Sequence, residues 1–475
     1  LYLWYNNPNP LFLVTLKQDI EKGEVEMTET VMQSQHGNRK KIGLFSCLLF
    51  GMAMLLPIAP VPVYGVIQPL SMGHMSLAYM LAVIPMAFSA WSFGIMGAEF
   101  PRAGSSYTFT SKSISPYLGF TVGWTILLDY ALFPVLNYIV LSIYACELFP
   151  ALSFNTVVIG SIILIAIINL LGIKSLASIN NILTIFGFLV VAYFIYAAVG
   201  ALNNGVGLGF SSKGFVNPET FSWRMLLEGA AIACFSFIGF DAITTLAEDV
   251  KEPTKTLPKA TIITCLVMAA IFAVMAYLAQ CVYPDFNGFT NADAAFIDVA
   301  LVAGGKTLAN AISLAMVAGA FAFSLDMMAG VTRLLFGMGR DGVLPKKFFG
   351  YTHPKTNVPV FNVILITVIC LILSNVSLGD LIPVINFGGL MAFVCVNLSV
   401  IFHFYIKGHK RAGLANKLKY LVLPGLGFLT CLTLWLSLPL SAKLIGGSWL
   451  ACGVIYIAVW SKGFKNAPKA FDEVA

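Results

Sequence analysis

Three carboxylates stand well inside long apolar stretches of this 475-residue sequence: Asp129 in TILLDYALFP, Asp241 in FSFIGFDAITT and Asp326 in FAFSLDMMAG. A carboxylate held among apolar groups costs several kcal/mol unless it is paired or hydrated. Each acid therefore has to be met by a cation, a proton or hydrogen-bond donors. Asp241, Thr245 and Glu248 are spaced i, i+4 and i+7, which on an α-helix puts them on one face as a polar track toward the end of the segment. Two readings of Asp241 stay open: it handles a ligand or a proton directly, or it caps the half-helix that begins there. Asp129 carries a similar pair of readings, as a ligand contact or as the structural partner of a nearby helix end. Asp326 receives no role from the sequence.

Bond-breaking chemistry finds no support. The nine cysteines are scattered singly, with no CxxC pair, and most sit where cysteine behaves as a small hydrophobe. The five histidines are equally dispersed and show no HExxH spacing. No nucleophile–base pair emerges, so neither an enzyme nor a metal or cofactor site is expected.

The elements that must position these acids span a membrane. Hydrophobic residues make up 58% of the chain and charged ones 11%, against about a quarter charged in soluble proteins, and mean hydropathy is +0.85. Apolar runs near the roughly 20 residues needed to cross the hydrocarbon core predict twelve helices, at 41–66, 77–100, 117–149, 155–171, 177–202, 223–247, 259–282, 307–338, 358–374, 380–405, 418–438 and 444–460. Residues 1–35 are read as an N-terminal tail, partly upstream of the true start if Met27 or Met32 begins the protein. The transmembrane domain then covers 36–461 and a cytoplasmic tail 462–475.

The net charge of +6 resides in short loops, which points to the positive-inside rule rather than to nucleic acid. With both termini inside, 24 of the 28 Lys and Arg face the cytoplasm, and only Lys213, Arg224, Lys306 and Lys443 face outward. No loop is long enough to hold a soluble domain, so function is expected within the membrane.

Two spans carry helix-breaking stretches. The first reads GMAMLLPIAPVPVYG, with Pro57, Pro60 and Pro62. The sixth breaks near Ser236-Phe237-Ile238-Gly239. Spans three and eight are both long and each holds a mid-segment aspartate. Matching breaks in two halves of a chain mark a transporter binding site at the repeat interface, where freed backbone groups can meet a ligand instead of lipid.

The stretch FSFIGFDAITTLAEDVKEPTKTLPKA resembles the sixth-helix signature of the amino acid–polyamine–organocation transporter superfamily. GAEFPRAGSSYTFTSKSISPYLGFTVGW and TRLLFGMGRDGVLP are further matches. Within the superfamily, LLDYALFP, FGYTHPK and INFGGLMAFVCVNLSVIFHF are most similar to bacterial proton-driven putrescine importers. The resemblance implies an all-α LeuT-like fold: a 5+5 inverted repeat with broken helices one and six, two extra C-terminal helices, and a central site between helices one, three, six and eight. It implies secondary active import of putrescine or a similar polyamine, coupled to protons, at a bacterial inner membrane with lipid around it. The alternatives are an amino-acid permease or amine/amino-acid exchanger, or a sensor that binds without transporting.

Amino-acid carriers of the superfamily typically hold a substrate carboxylate on amides of a glycine-rich break. Here the prolines remove donors, which favours an ammonium ligand, unless they only kink the helix. The substrate-binding candidates are Pro57, Ile58, Asp129, Tyr130, Phe235, Ser236, Phe240 and Asp241. Tyr130, Phe235 and Phe240 would form an aromatic cage, each contact worth about 0.5–2 kcal/mol, unless these rings merely pack. Tyr130, Phe133 and Asn137 share a helical face. Asp241, Glu248 and Glu99 are the proton-coupling or gate candidates, with Glu99 and Arg102 alternatively anchoring a loop. Some relatives carry a basic residue in helix five where this chain has Gly187.

Overall fold

The computed structural model describes residues 42–101, 106–172, 177–340, 342–354 and 356–465. The expected N-terminal tail, the C-terminal tail beyond residue 465 and Arg102 lie outside them. Among the described residues every regular element is helical, apart from one isolated parallel bridge between Ile42 and Val250.

The helices are α1 (Leu44–Leu55), α2 (Pro60–Leu70), α3 (Met75–Glu99), α4 (Ser106–Ser113), α5 (Pro116–Leu148), α6 (Phe154–Leu170), α7 (Ala177–Asn203) and α8 (Trp223–Ala233). Then come α9 (Pro253–Val282), α10 (Ala295–Arg340), α11 (Lys346–Phe349), α12 (Val360–Leu373), α13 (Leu378–Val400), α14 (Leu414–Lys417), α15 (Leu423–Ser437) and α16 (Leu440–Trp460). Nine described segments are long and apolar enough to cross a membrane, or ten when α1 and α2 are taken as one span bent by 59°. Two shorter apolar helices, α6 and α12, accompany them.

The bend between α1 and α2 has a local cause. Leu56 takes φ 53, which ends α1, and Pro60 opens α2 at a position where its missing N–H costs nothing. The sixth span breaks differently. After α8 the chain tightens into a 3-10 turn (Cys234–Phe237), opens at Ile238 and Gly239, and resumes as a second 3-10 segment (Phe240–Leu246). This corrects the expected polar track. With three residues per turn, Thr245 is rotated about 120° from Asp241, and Glu248 lies beyond the 3-10 segment.

Other boundaries also move. α9 starts at Pro253 rather than 259, because Pro253 takes the first helical position, where its missing N–H costs nothing, and Pro258 lies inside the helix. α10 starts at Ala295 rather than 307, with Gly305 (φ 66, ψ −164) kinking it. α4 was not expected, since SYTFTSKS lacks an apolar run, yet all its side chains but Lys112 are buried.

Packing sorts the long helices into two groups. α3 lies against α9 and α8, and α9 also covers α1; α5 lies against α10 and α13, and α10 also covers α7. Thr261 on α9 donates to the Ala90 carbonyl on α3 at 2.7 Å. α16 is tied to α5 by a reciprocal pair of indole bonds, Trp124 Nε1 to Trp449 O (3.0 Å) and Trp449 Nε1 to Trp124 O (2.8 Å), with the rings stacked at 4.9 Å.

Gly239 holds the sixth-span break open at φ 129, and a Cβ there would stand 2.9 Å from the Met54 carbonyl oxygen. Gly239→Ala should therefore cost on the order of 1–3 kcal/mol and lower the melting temperature of the detergent-purified protein. Gly160→Ala, on open helix surface in α6, should leave melting unchanged or slightly raised. Equal melting of the two variants would refute this account of the break.

Candidate functional site

The two breaks face each other across a cavity offering about 80 Å³ to the centres of water molecules. Its walls come from five elements. Met54–Ala59 and Pro62 supply the α1–α2 break, and Phe235, Ser236 and Ile238 the sixth-span break. α5 adds Phe133, Leu136, Asn137 and Val140, α7 adds Leu183 and Gly187, and α10 adds Ala315, Met316, Gly319, Ala320 and Phe323. Small residues along α10 leave the space that the rings of Phe133, Phe235 and Phe323 then frame. Phe133 stacks on Phe235 at 5.6 Å and 22°, and meets Phe323 edge-on at 6.3 Å.

Hydrogen-bond supply in this cavity is low for a specific reason. Of residues 57–62, the three prolines have no N–H. Ala59 N–H donates to the Leu56 carbonyl and Val61 N–H to the Ile58 carbonyl, both at 3.0 Å, which leaves the amides of Leu56, just before the prolines, and Ile58 uncommitted. At the other break, Ile238 N–H donates to the Phe235 carbonyl at 3.1 Å, and Gly239 N–H donates to Asp241 Oδ1 at 3.2 Å. Side-chain polarity is similarly committed. Ser236 Oγ shares a 2.8 Å bond with the Tyr79 hydroxyl, and Asn137 Nδ2 donates to the Phe133 carbonyl at 2.8 Å. No carboxylate lines the cavity.

The predicted residues thus divide. Pro57, Ile58, Phe235 and Ser236 meet at the cavity. Asp241 sits beside it, closing the break by accepting from Gly239. Tyr130 lies 38% exposed, facing Gly330 of α10. Asp129 is 4% exposed and packs against α13 instead of the cavity. Phe240 is fully buried between Phe93 and Phe393, with ring centroids at 5.6 and 5.3 Å, so its ring serves core packing rather than a cage.

Glu99 and Glu248 lie away from the cavity. Glu248 is exposed. Glu99 Oε1 lies 3.4 Å from His403 Nε2, linking the end of α3 to the π-helical turn (Ile401–Lys407) after α13. That link was not anticipated, because nothing local connects residues so far apart in the chain. Phe323 and Tyr79 were missed for the same reason, whereas Phe133 and Asn137 were foreshadowed by their shared helical face.

A family model described as amino acid permease matches residues 43–460. The chain is 36% identical over 439 residues to the low-affinity putrescine importer PlaP of Escherichia coli (strain K12), covering 92% of this chain and 97% of that one. It is 28% identical over 449 residues to the branched-chain amino acid permease BcaP of Bacillus subtilis (strain 168), covering 89% and 93% respectively. A methylthioribose transporter of the same organism is 24% identical over 445 residues, covering 89% and 94%. With a cavity between two broken spans and a match along nearly the whole described chain, this protein belongs to the amino acid permease family of membrane transporters.

Proposed function

We propose that this chain imports putrescine or a similar small polyamine across a bacterial inner membrane, together with protons, by alternating access. The observation that carries the reading is the committed amides of the two breaks. A substrate carboxylate needs several free N–H donors, and the first break offers this cavity two, Leu56 and Ile58. An alkyl diamine needs an apolar wall and π-faces for its ammonium ends, which Phe133 and Phe235 provide. The full-length similarity to a putrescine importer supports the same substrate class.

In this reading the chain has twelve spans in a 5+5 inverted repeat plus two, with both termini cytoplasmic. α6 and α12 complete the count, and the 24 inward-facing basic residues set the orientation. The α1, α2, α3, α8 and α9 group rocks against the group built on α5 and α10. Two positive charges crossing about 100 mV gain roughly 4.6 kcal/mol, so the membrane potential assists import with or without a proton. Amino-acid transport is the second reading, favoured by the similarity to BcaP.

Labelled putrescine uptake in cells lacking their own importers should be saturable, fall on adding a protonophore and ignore free amino acids as competitors. No uptake by correctly inserted protein would favour the amino-acid reading. Within the site, Phe235→Ala should raise the KM for putrescine about 2- to 30-fold, the range that one aromatic–ammonium contact spans. Phe240→Leu, an apolar swap in the core, should shift melting more than KM. The opposite ordering would remove Phe235 from the site.

A further inference from the structure

We propose that Asp129 is the residue that takes up and releases the transported proton; this rests on the proton-coupled reading above. Asp129 is 4% exposed, its Oδ1 has no hydrogen-bond partner, and no described ion pair includes it. Its carboxyl group is pressed onto the backbone of α13, where a Cβ on Gly388 would stand 2.1 Å from Oδ1 and 2.7 Å from Oδ2. An uncompensated charge in such a position costs several kcal/mol. A single proton removes that charge without needing space, whereas a bulky ammonium would have to displace α13.

The acid is also placed to sense the cavity. A Cβ on Gly389 would touch Ile238 Cδ1 at 2.9 Å and Asp129 Oδ2 at 3.8 Å, and Ile238 lines the cavity. Asp129 therefore stands one residue behind the wall that a substrate presses on. The next residue, Tyr130, is 38% exposed and its hydroxyl can accept and donate a proton, so the proposed route from Asp129 to water runs past it.

The sixth-span segment contributes Asp241, held beside the cavity by the Gly239 amide. Among the ionisable groups on the other elements packed on α5 are Asp326 and Arg333 on α10, Cys370 on α12, Cys395 on α13, Tyr456 on α16 and Lys112 on α4. Each cycle is balanced: one proton from the outer solution converts the Asp129 carboxylate to the acid, α13 closes on the neutral group, and the same proton leaves to the cytoplasm past Tyr130.

The test uses the full chain in liposomes, with the membrane potential clamped at zero by potassium and valinomycin and an inward proton gradient of one pH unit imposed. Wild type should accumulate labelled putrescine about tenfold, the ratio one proton per substrate allows. Asp129→Asn should only equilibrate it while retaining putrescine counterflow at equal pH. Accumulation by Asp129→Asn matching wild type would overturn the assignment, as would uncoupling by Asp241→Asn in its place. If Asp129→Asn is inactive in counterflow too, Asp129→Glu must regain gradient-driven accumulation, and its failure counts against the proposal. A wild type that transports but ignores the gradient defeats the coupling reading itself, an outcome separable from a fault in Asp129 alone.

Discussion

A helix interrupted inside a membrane leaves N–H groups that no water can satisfy, and each one must be absent, paired or handed to a ligand. This chain uses the first two solutions at the first interruption and pairing at the second. Prolines delete the donors of the first break, neighbouring carbonyls absorb most of the rest, and the Asp241 carboxylate takes the Gly239 amide. The breaks are thereby stable without a ligand, and the space between them keeps few polar groups. Apolar and aromatic surface is what remains there, and in the proposed reading it is ring faces and shape, rather than amide donors, that meet a substrate.

The same constraint explains why α5 is so long and so heavily packed. One stretch of this helix presents Phe133 and Asn137 to the cavity, another presses Asp129 against Gly388 of α13, and its first half is locked to α16 through Trp124. Glycines at 388 and 389 let α13 come close enough that Asp129 and Ile238 share a neighbour. Interiors packed at this density respond to a volume change by switching arrangement rather than deforming smoothly. A polar group one layer behind the wall is therefore mechanically connected to it.

At the end of the bundle that carries Glu99 and His403 the connections are weaker and more polar. Glu99 and His403 are both partly exposed, so their contact is worth at most about 1 kcal/mol. Lys410 lies 4.7 Å from the ring centroid of Phe404, and Ile42 joins the segment after the sixth span through two backbone bonds at 2.8 and 2.9 Å. Contacts of this size can form and break in a transport cycle, whereas the buried packing of α3 on α9 and of α5 on α10 is suited to stay intact.

Much of this was legible in the residues. Apolar run length, the proline cluster and the Gly239 break are local properties, because a span is set by hydrophobic length and a break by missing donors or a φ that only glycine takes easily. These features located the long helices, both interruptions and four cavity residues: Pro57, Ile58, Phe235 and Ser236. Helical spacing also foreshadowed Phe133 and Asn137. What the sequence could not decide was direction and tightness. Phe235 and Phe240 are five residues apart and chemically identical, yet one rings the cavity and the other fills the core, because the break between them rotates the chain. The polar track from Asp241 to Glu248 dissolved for a related reason: packing against α1 and α3 accompanies a 3-10 winding there that residue spacing alone does not reveal. Asp129 was readable as a costly buried acid, but only the approach of α13, built from residues some 260 positions later, determined that it stands behind the wall and not in it.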